Sequence, residues 1–136
     1  MKLLFKNITL LILFIITSSC SSKVISLHNL EDQPVPDGIK IERVKNAIKS
    51  AATRKGWRLK ASKKNDNSFL GYLDERNHSA VIQINYSTQH YSINYVRSNN
   101  LNYNPEKKII HRNYMKWIKT LKTLIDSELF LAAEAN

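Results

Sequence analysis

The sequence predicts an α+β fold, a two-layer sandwich whose four-stranded antiparallel meander is flanked in sequence by an N-terminal and a C-terminal helix. Two stretches with apolar residues every three to four positions, near Val44–Ala52 and Ile110–Leu129, bracket a stretch of alternating apolar and polar residues from Trp57 to Tyr95. The chain has 136 residues, 43% of them hydrophobic and 24% charged, which is room for one globular domain.

From about Ile41, the residues Val44, Ala47, Ile48, Ala51 and Ala52 make one apolar stripe on a helix, with Lys45, Lys49 and Arg54 on other faces. Gly56 stands where a left-handed C-terminal cap is easiest. Trp57, Leu59 and Ala61 then alternate with Arg58, Lys60 and Ser62, the pattern of a half-buried strand. A turn at 63–67 leads to a second strand over Ser68–Asp74, where Gly71 marks a bulge or a close approach. Ala80, Ile82, Ile84 and Tyr86 share one face of a third strand, and Tyr91, Ile93 and Tyr95 supply the matching face of a fourth, a hairpin across Ser87–His90. An asparagine-rich loop over Ser98–Pro105 precedes the last helix, with Pro105 near its opening. That helix carries Ile110, Tyr114, Trp117, Ile118, Leu121, Ile125 and Leu129 on its apolar stripe. Short connections place both helices on the apolar face of the sheet.

The N-terminus has the layout of an export signal. Lys2 and Lys6 precede an apolar run from Ile8 to Ile16, too short for the roughly 20 residues a membrane-spanning helix needs. Thr17, Ser18 and Ser19 follow, then Cys20, the single cysteine of the chain. One cysteine allows no internal disulfide and no thiolate zinc site. The segment resembles a bacterial lipoprotein signal, although the third position before the cysteine, usually Leu, is Thr17. The resemblance implies cleavage before Cys20 and its diacylation, as the lipid-attachment residue of a membrane-anchored chain. Two or three acyl chains hold a protein to a bilayer essentially for good. Ser21 and Ser22 follow with no aspartate, which by resemblance to enterobacterial sorting implies the outer membrane, facing the periplasm.

The expected organisation is a signal peptide at 1–19, a lipid-anchored tether at 20–40, the α+β domain at 41–131 and a C-terminal tail at 132–136. The tether expectation rests on Glu31-Asp32, Pro34, Pro36 and Asp37-Gly38, all loop chemistry without apolar periodicity, with a short strand through Val24–Leu27 as the alternative.

The formal charge is +10, and +8 once Lys2 and Lys6 are removed with the signal, so basicity belongs to the domain. An exported, membrane-held protein meets little nucleic acid, and no nucleic-acid partner is expected. Anionic phospholipid headgroups, lipopolysaccharide phosphates or peptidoglycan carboxylates are the expected counter-surfaces, with a solvated lysine-rich face as the plain alternative.

Catalytic and metal motifs are sparse. His28, His78, His90 and His111 show no metal-ligand spacing, so no metal is expected. There is no Gly-x-Ser-x-Gly elbow, and Gly38, Gly56 and Gly71 cannot form a phosphate-cradling loop. No catalytic residue and no cofactor is implied, and the chain reads as a non-enzyme.

The most particular stretch is Tyr91-Ser92-Ile93-Asn94-Tyr95, then Ser98-Asn99-Asn100-Leu101-Asn102-Tyr103, then Ile110-His111, Tyr114 and Trp117-Ile118. Together with Gly56-Trp57 it resembles a set of small uncharacterised bacterial lipoproteins over most of residues 44–125. The resemblance implies an exported, lipid-anchored domain and carries no activity or ligand. Amides beside aromatic rings can hold a glycan or peptide, which makes Asn99, Asn100, Asn102, Tyr103 and His111 the candidate binding residues. The competing expectation is that the asparagines serve turn geometry while the rings fill the core. The functional expectation is an envelope lipoprotein acting as a non-catalytic interaction or structural module. A glycan- or anion-binding module is the alternative, and a cryptic hydrolase is a third.

Overall fold

A computed structural model describes residues 23–135. The signal segment and Cys20 lie outside these residues. In chain order the elements are β1 (Val24–Ser26), β2 (Leu30–Pro34), α1 (Ile41–Arg54), β3 (Arg58–Ala61), β4 (Ser68–Glu75), β5 (His78–Tyr86), β6 (His90–Asn99), β7 (Ile109–His111) and α2 (Arg112–Glu134). The class is α+β, as expected. Among the described residues the main sheet has five strands rather than four, in the order β2-β6-β5-β4-β3, with every pairing antiparallel. The expected meander is its β3–β6 portion. A separate two-stranded ladder joins β1 to β7.

The extra strands come from the segment expected to be a tether. β2 adds to the β6 edge, pairing Leu30 with Ile93 and Pro34 with His90. Val35 and Ile39 behind it are buried in the core. A bulge between Leu30 and Gln33, with Asp32 at φ 48°, breaks the two-residue alternation that would have marked a strand. Pro34 is tolerated because β2 is an edge strand.

α1 buries Val44, Ala47, Ile48, Ala51 and Ala52, the expected stripe. It ends on a Schellman turn: Trp57 N–H donates to Ala52 O at 3.0 Å and Gly56 N–H to Thr53 O at 3.1 Å, with Gly56 at φ 75°. This cap drops Trp57 into the core, where it is 3% exposed.

Gly71 marks a close approach and not a bulge. A Cβ there would lie 3.0 Å from Ile82 Cγ1 and 3.3 Å from Leu59 Cδ2, so glycine lets both side chains meet over β4 without displacement.

The last helix begins later and ends later than expected. Ile110 is fully buried, but as a strand residue of β7 paired with Ile25. Pro105 sits in a tight turn closed by the Asn104–Ile109 bridge, with Lys108 at φ 49°. The helix continues through 132–134, the expected tail, because Arg43 of α1 donates to the carbonyls of Ala132 at 2.8 Å and Ala135 at 3.2 Å. A cation on those terminal carbonyls offsets the negative end of the helix dipole, for which α2 has no basic residue in its own last turn. An Arg54–Glu128 pair at 2.6 Å adds a second tie between the helices.

Both helices contribute to one core with one sheet face, formed by Phe69, Ile82, Ile84, Tyr91 and Ile93 beneath Ile48, Ile118, Leu121 and Ile125. Tyr91 reaches across to α2, donating its hydroxyl proton to Asp126 at 2.5 Å. Burial and the neighbouring carboxylate hold that phenol protonated.

Candidate functional site

The asparagine-rich loop, β1, β7 and the first turn of α2 meet at one end of the domain. Here the candidate residues divide. Asn100 and Asn102 have φ of 57° and 49°, left-handed conformations that asparagine adopts more readily than most residues. Asn100 also donates its side-chain amide to Asn77 O at 3.2 Å, tying the loop to the β4–β5 turn. Asn99 ends β6 opposite Ser79. Tyr103 stacks on Tyr95 with centroids 4.5 Å apart, and Tyr95 meets Tyr114 edge-on at 5.5 Å. The asparagine conformations are those of the turn expectation, while Tyr103 lies against Tyr95 and stays partly exposed. Leu101, between the asparagines, is buried and locks the loop down.

His111 caps α2. Its Nδ1 accepts from the Asn113 N–H at 3.2 Å, which requires a neutral ring with the proton on Nε2. The Arg112 N–H is taken by the carbonyl of Lys23 at 2.9 Å. Against His111, at 5.8 Å between centroids, lies the ring of His78. The His78 Nδ1 donates to Asn100 O at 2.6 Å, whereas the His111 Nδ1 accepts. Burial, then repulsion among neighbouring bases, His78 with Arg112, Lys23 and Lys116, pushes the pKa of His111 below the ordinary imidazole value. Asn100 and His111 are thus linked through His78, a residue that sequence reasoning left unassigned. Two histidines so far apart in the chain give no spacing signal.

Beside His78 runs a cleft of about 330 Å³ with Glu75, Arg76, Asn113, Lys116 and Trp117 in its walls. It adjoins a second cleft, of about 300 Å³, that shares Glu75 and Trp117 and reaches Trp57 and Lys55. Ammonium, guanidinium and imidazole donors beside an indole wall can hold a polar or anionic group. None of Asn99, Asn100, Asn102, Tyr103 or His111 lines either cleft. Trp117 read as pure core in the sequence, because its spacing matches the helix stripe.

The sheet face away from the helices carries a broader cleft of about 470 Å³. Leu70, Tyr72 and Val96 form its apolar floor, and Lys60, Lys63 and Lys64 stand around it. Lys60 Nζ lies 5.5 Å from the Tyr72 ring centroid. Gln83 bridges to Ser68 Oγ and Asn85 Oδ1, both at 3.1 Å, and Asn85 reaches Ser92 at 3.3 Å.

Among the described residues, no three His, Cys, Asp or Glu side chains lie close enough to hold a metal ion. Among them, too, no helix is long and apolar enough to cross a membrane. Compared with known proteins, the chain matches no family model, and none of the curated proteins matches it significantly.

Proposed function

We propose that this protein is a bacterial envelope lipoprotein, held by acyl chains on Cys20 at the outer membrane, whose domain serves as a non-catalytic interaction module in the periplasm. The observation that carries the reading is the run Lys2, Lys6, Ile8–Ile16 and Thr17-Ser18-Ser19 ahead of the single cysteine. A domain that begins its first strand at Val24 is compatible with an anchor at Cys20, since the strand starts downstream of the residue to be processed. Metabolic labelling with a fatty-acid analogue tests the proposal. Label is expected on the wild-type chain and not on Cys20→Ala; equal incorporation by both, or none by either, defeats it.

A second reading, an anion- or glycan-binding module, is favoured by the lysines around the open-face cleft. The expected loop residues Asn99, Asn100, Asn102, Tyr103 and His111 lie outside this cleft. Binding to isolated peptidoglycan or lipopolysaccharide that weakens with salt, and weakens again in Lys63→Gln/Lys64→Gln, would support this reading. Salt-insensitive binding would count against charge as its cause.

A further inference from the structure

A membrane anchor constrains orientation only if the chain between it and the fold is short. Here it is: strand pairing begins at Val24, and Lys23 is already pinned through its carbonyl to the α2 N-terminus. Three Cα steps separate Cys20 from Lys23, a span of at most about 11 Å at 3.8 Å per step. The headgroup layer of one leaflet is itself about 5–8 Å deep. The leash therefore crosses that layer and little more, and the end of the domain at which Lys23 sits has no room to turn away.

That end is chemically suited to such a position. Lys23, Lys108, Arg112 and Lys116 are all exposed there. Lys108 is held beside β1 by the Leu27 N–H, which donates to its carbonyl at 2.7 Å. Lys116 stands with Arg76 in the wall of the His78 cleft. Glu75 in that cleft, Asp74 beside it, which pairs with Arg58, and Glu106 in the loop are acids near this end, against Lys23, Lys108, Arg112, Lys116 and Arg76. Ile25 on β1 and Tyr103 on the loop are 40% and 39% exposed, among the more exposed large apolar side chains of the domain. Cations flanked by an exposed aromatic and an aliphatic side chain are the composition of a surface that rests in a membrane interface.

We propose that the β1–β7 end of the domain, through Lys23, Lys108 and Lys116 with Ile25 and Tyr103, docks on the anionic phospholipid headgroups of the bilayer that holds Cys20. This inference rests on the anchor reading above. It fixes the orientation of the module: the cationic end faces the lipid, while the lysine-rimmed sheet face stays in water, available to a partner.

The test uses the full chain, purified in lipidated form, with acylation of Cys20 read by mass spectrometry. The protein is placed on phosphatidylcholine vesicles with or without phosphatidylglycerol and treated with a water-soluble amine-reactive reagent. With phosphatidylglycerol present, Lys23, Lys108 and Lys116 are expected to react about fivefold more slowly, the factor equivalent to the roughly 1 kcal/mol a surface cation gains at an anionic leaflet. The protection should fade in about 1 M salt, where screening acts within about 3 Å. Lys60, Lys63 and Lys64 should react alike on both vesicles. Lys108→Asn/Lys116→Gln, which keeps a residue that tolerates positive φ at 108, should restore the reactivity of Lys23. An acylated chain whose Lys23, Lys108 and Lys116 react equally on both vesicles, or whose Lys60, Lys63 and Lys64 are protected instead, overturns the docking and leaves the anchor reading standing. A mature chain without acyl groups overturns both.

Discussion

Along β5, Ala80, Ile82, Ile84 and Tyr86 point into the core shared with α1 and α2, while Ser79, Val81, Gln83 and Asn85 point the other way. On the first face the strands are held by close apolar packing, tight enough that a methyl group at Gly71 would crowd Ile82 and Leu59. On the second, Val96 is 41% exposed and the strands are laced by side-chain hydrogen bonds, from Gln83 to Ser68, Asn85 to Ser92 and Asn94 to Glu31. One set of strands thus carries a face that stabilises and a face that is free to vary. The difference teaches where function can be placed at least cost to the fold: mutations on the packed face act mainly through stability, and those on the open face disturb stability less.

The largest test of this contrast is Ile84→Ala, a truncation at a fully buried site. It should cost about 2–5 kcal/mol in urea denaturation. Gly71→Val inverts the test by overfilling the same face against Ile82 and Leu59, and should cost about 1–3 kcal/mol. A loss below about 0.5 kcal/mol in either variant would mean that the packed face is looser than its geometry.

His111 belongs to neither face and should respond to pH as they do not. Removing its cap in His111→Ala should cost about 1 kcal/mol near neutrality. Because folding lowers its pKa, the neutral ring's contribution is complete above the ordinary imidazole value of 6.5 and is lost as pH falls through the lower folded value. Thermal melts of the wild type should therefore lose stability on acidification below about pH 6.5. His111→Asn, which can still cap, should show a shallower slope over the same window. Equal slopes would assign the acid sensitivity to other groups.

The smallest effects are expected on the open face. Gln83→Ala, which gives up two side-chain hydrogen bonds, should cost about 0.5–1.5 kcal/mol. Val96→Thr should shift stability by no more than about 0.5 kcal/mol. A loss from Val96→Thr as large as that from Ile84→Ala would abolish the distinction between the faces.

The packed face was legible because each of its elements repeats a period: Val44 to Ala52 on α1, Ile82 to Tyr86 on β5, and Ile118, Leu121, Ile125 and Leu129 on α2. What the sequence concealed lacked a period. β2 is five residues with a bulge and Asp32 at positive φ, and β7 is three residues, too short to alternate; β1, equally short, matches the Val24–Leu27 strand that stood as the alternative to a tether. Ile110 matched the spacing of the last helix by coincidence, since the step from Ile110 to Tyr114 spans a strand end as readily as a helix turn. Among the candidate binding residues, the asparagines were visible as turn formers. The stacking of His111 on His78 depends on tertiary pairing that local sequence does not encode.

The β1–β7 ladder has a mechanical consequence. Any tension along an N-terminal tether enters the domain at Val24, against three paired residues and the Lys23–Arg112 bond, before it reaches the main sheet. Stretching the protein from that end by optical tweezers should release β1 in a small, reversible step, with the five-stranded sheet yielding only at higher force. The ladder would then work as a shock absorber, letting the leash lengthen under load while the folded body keeps its shape.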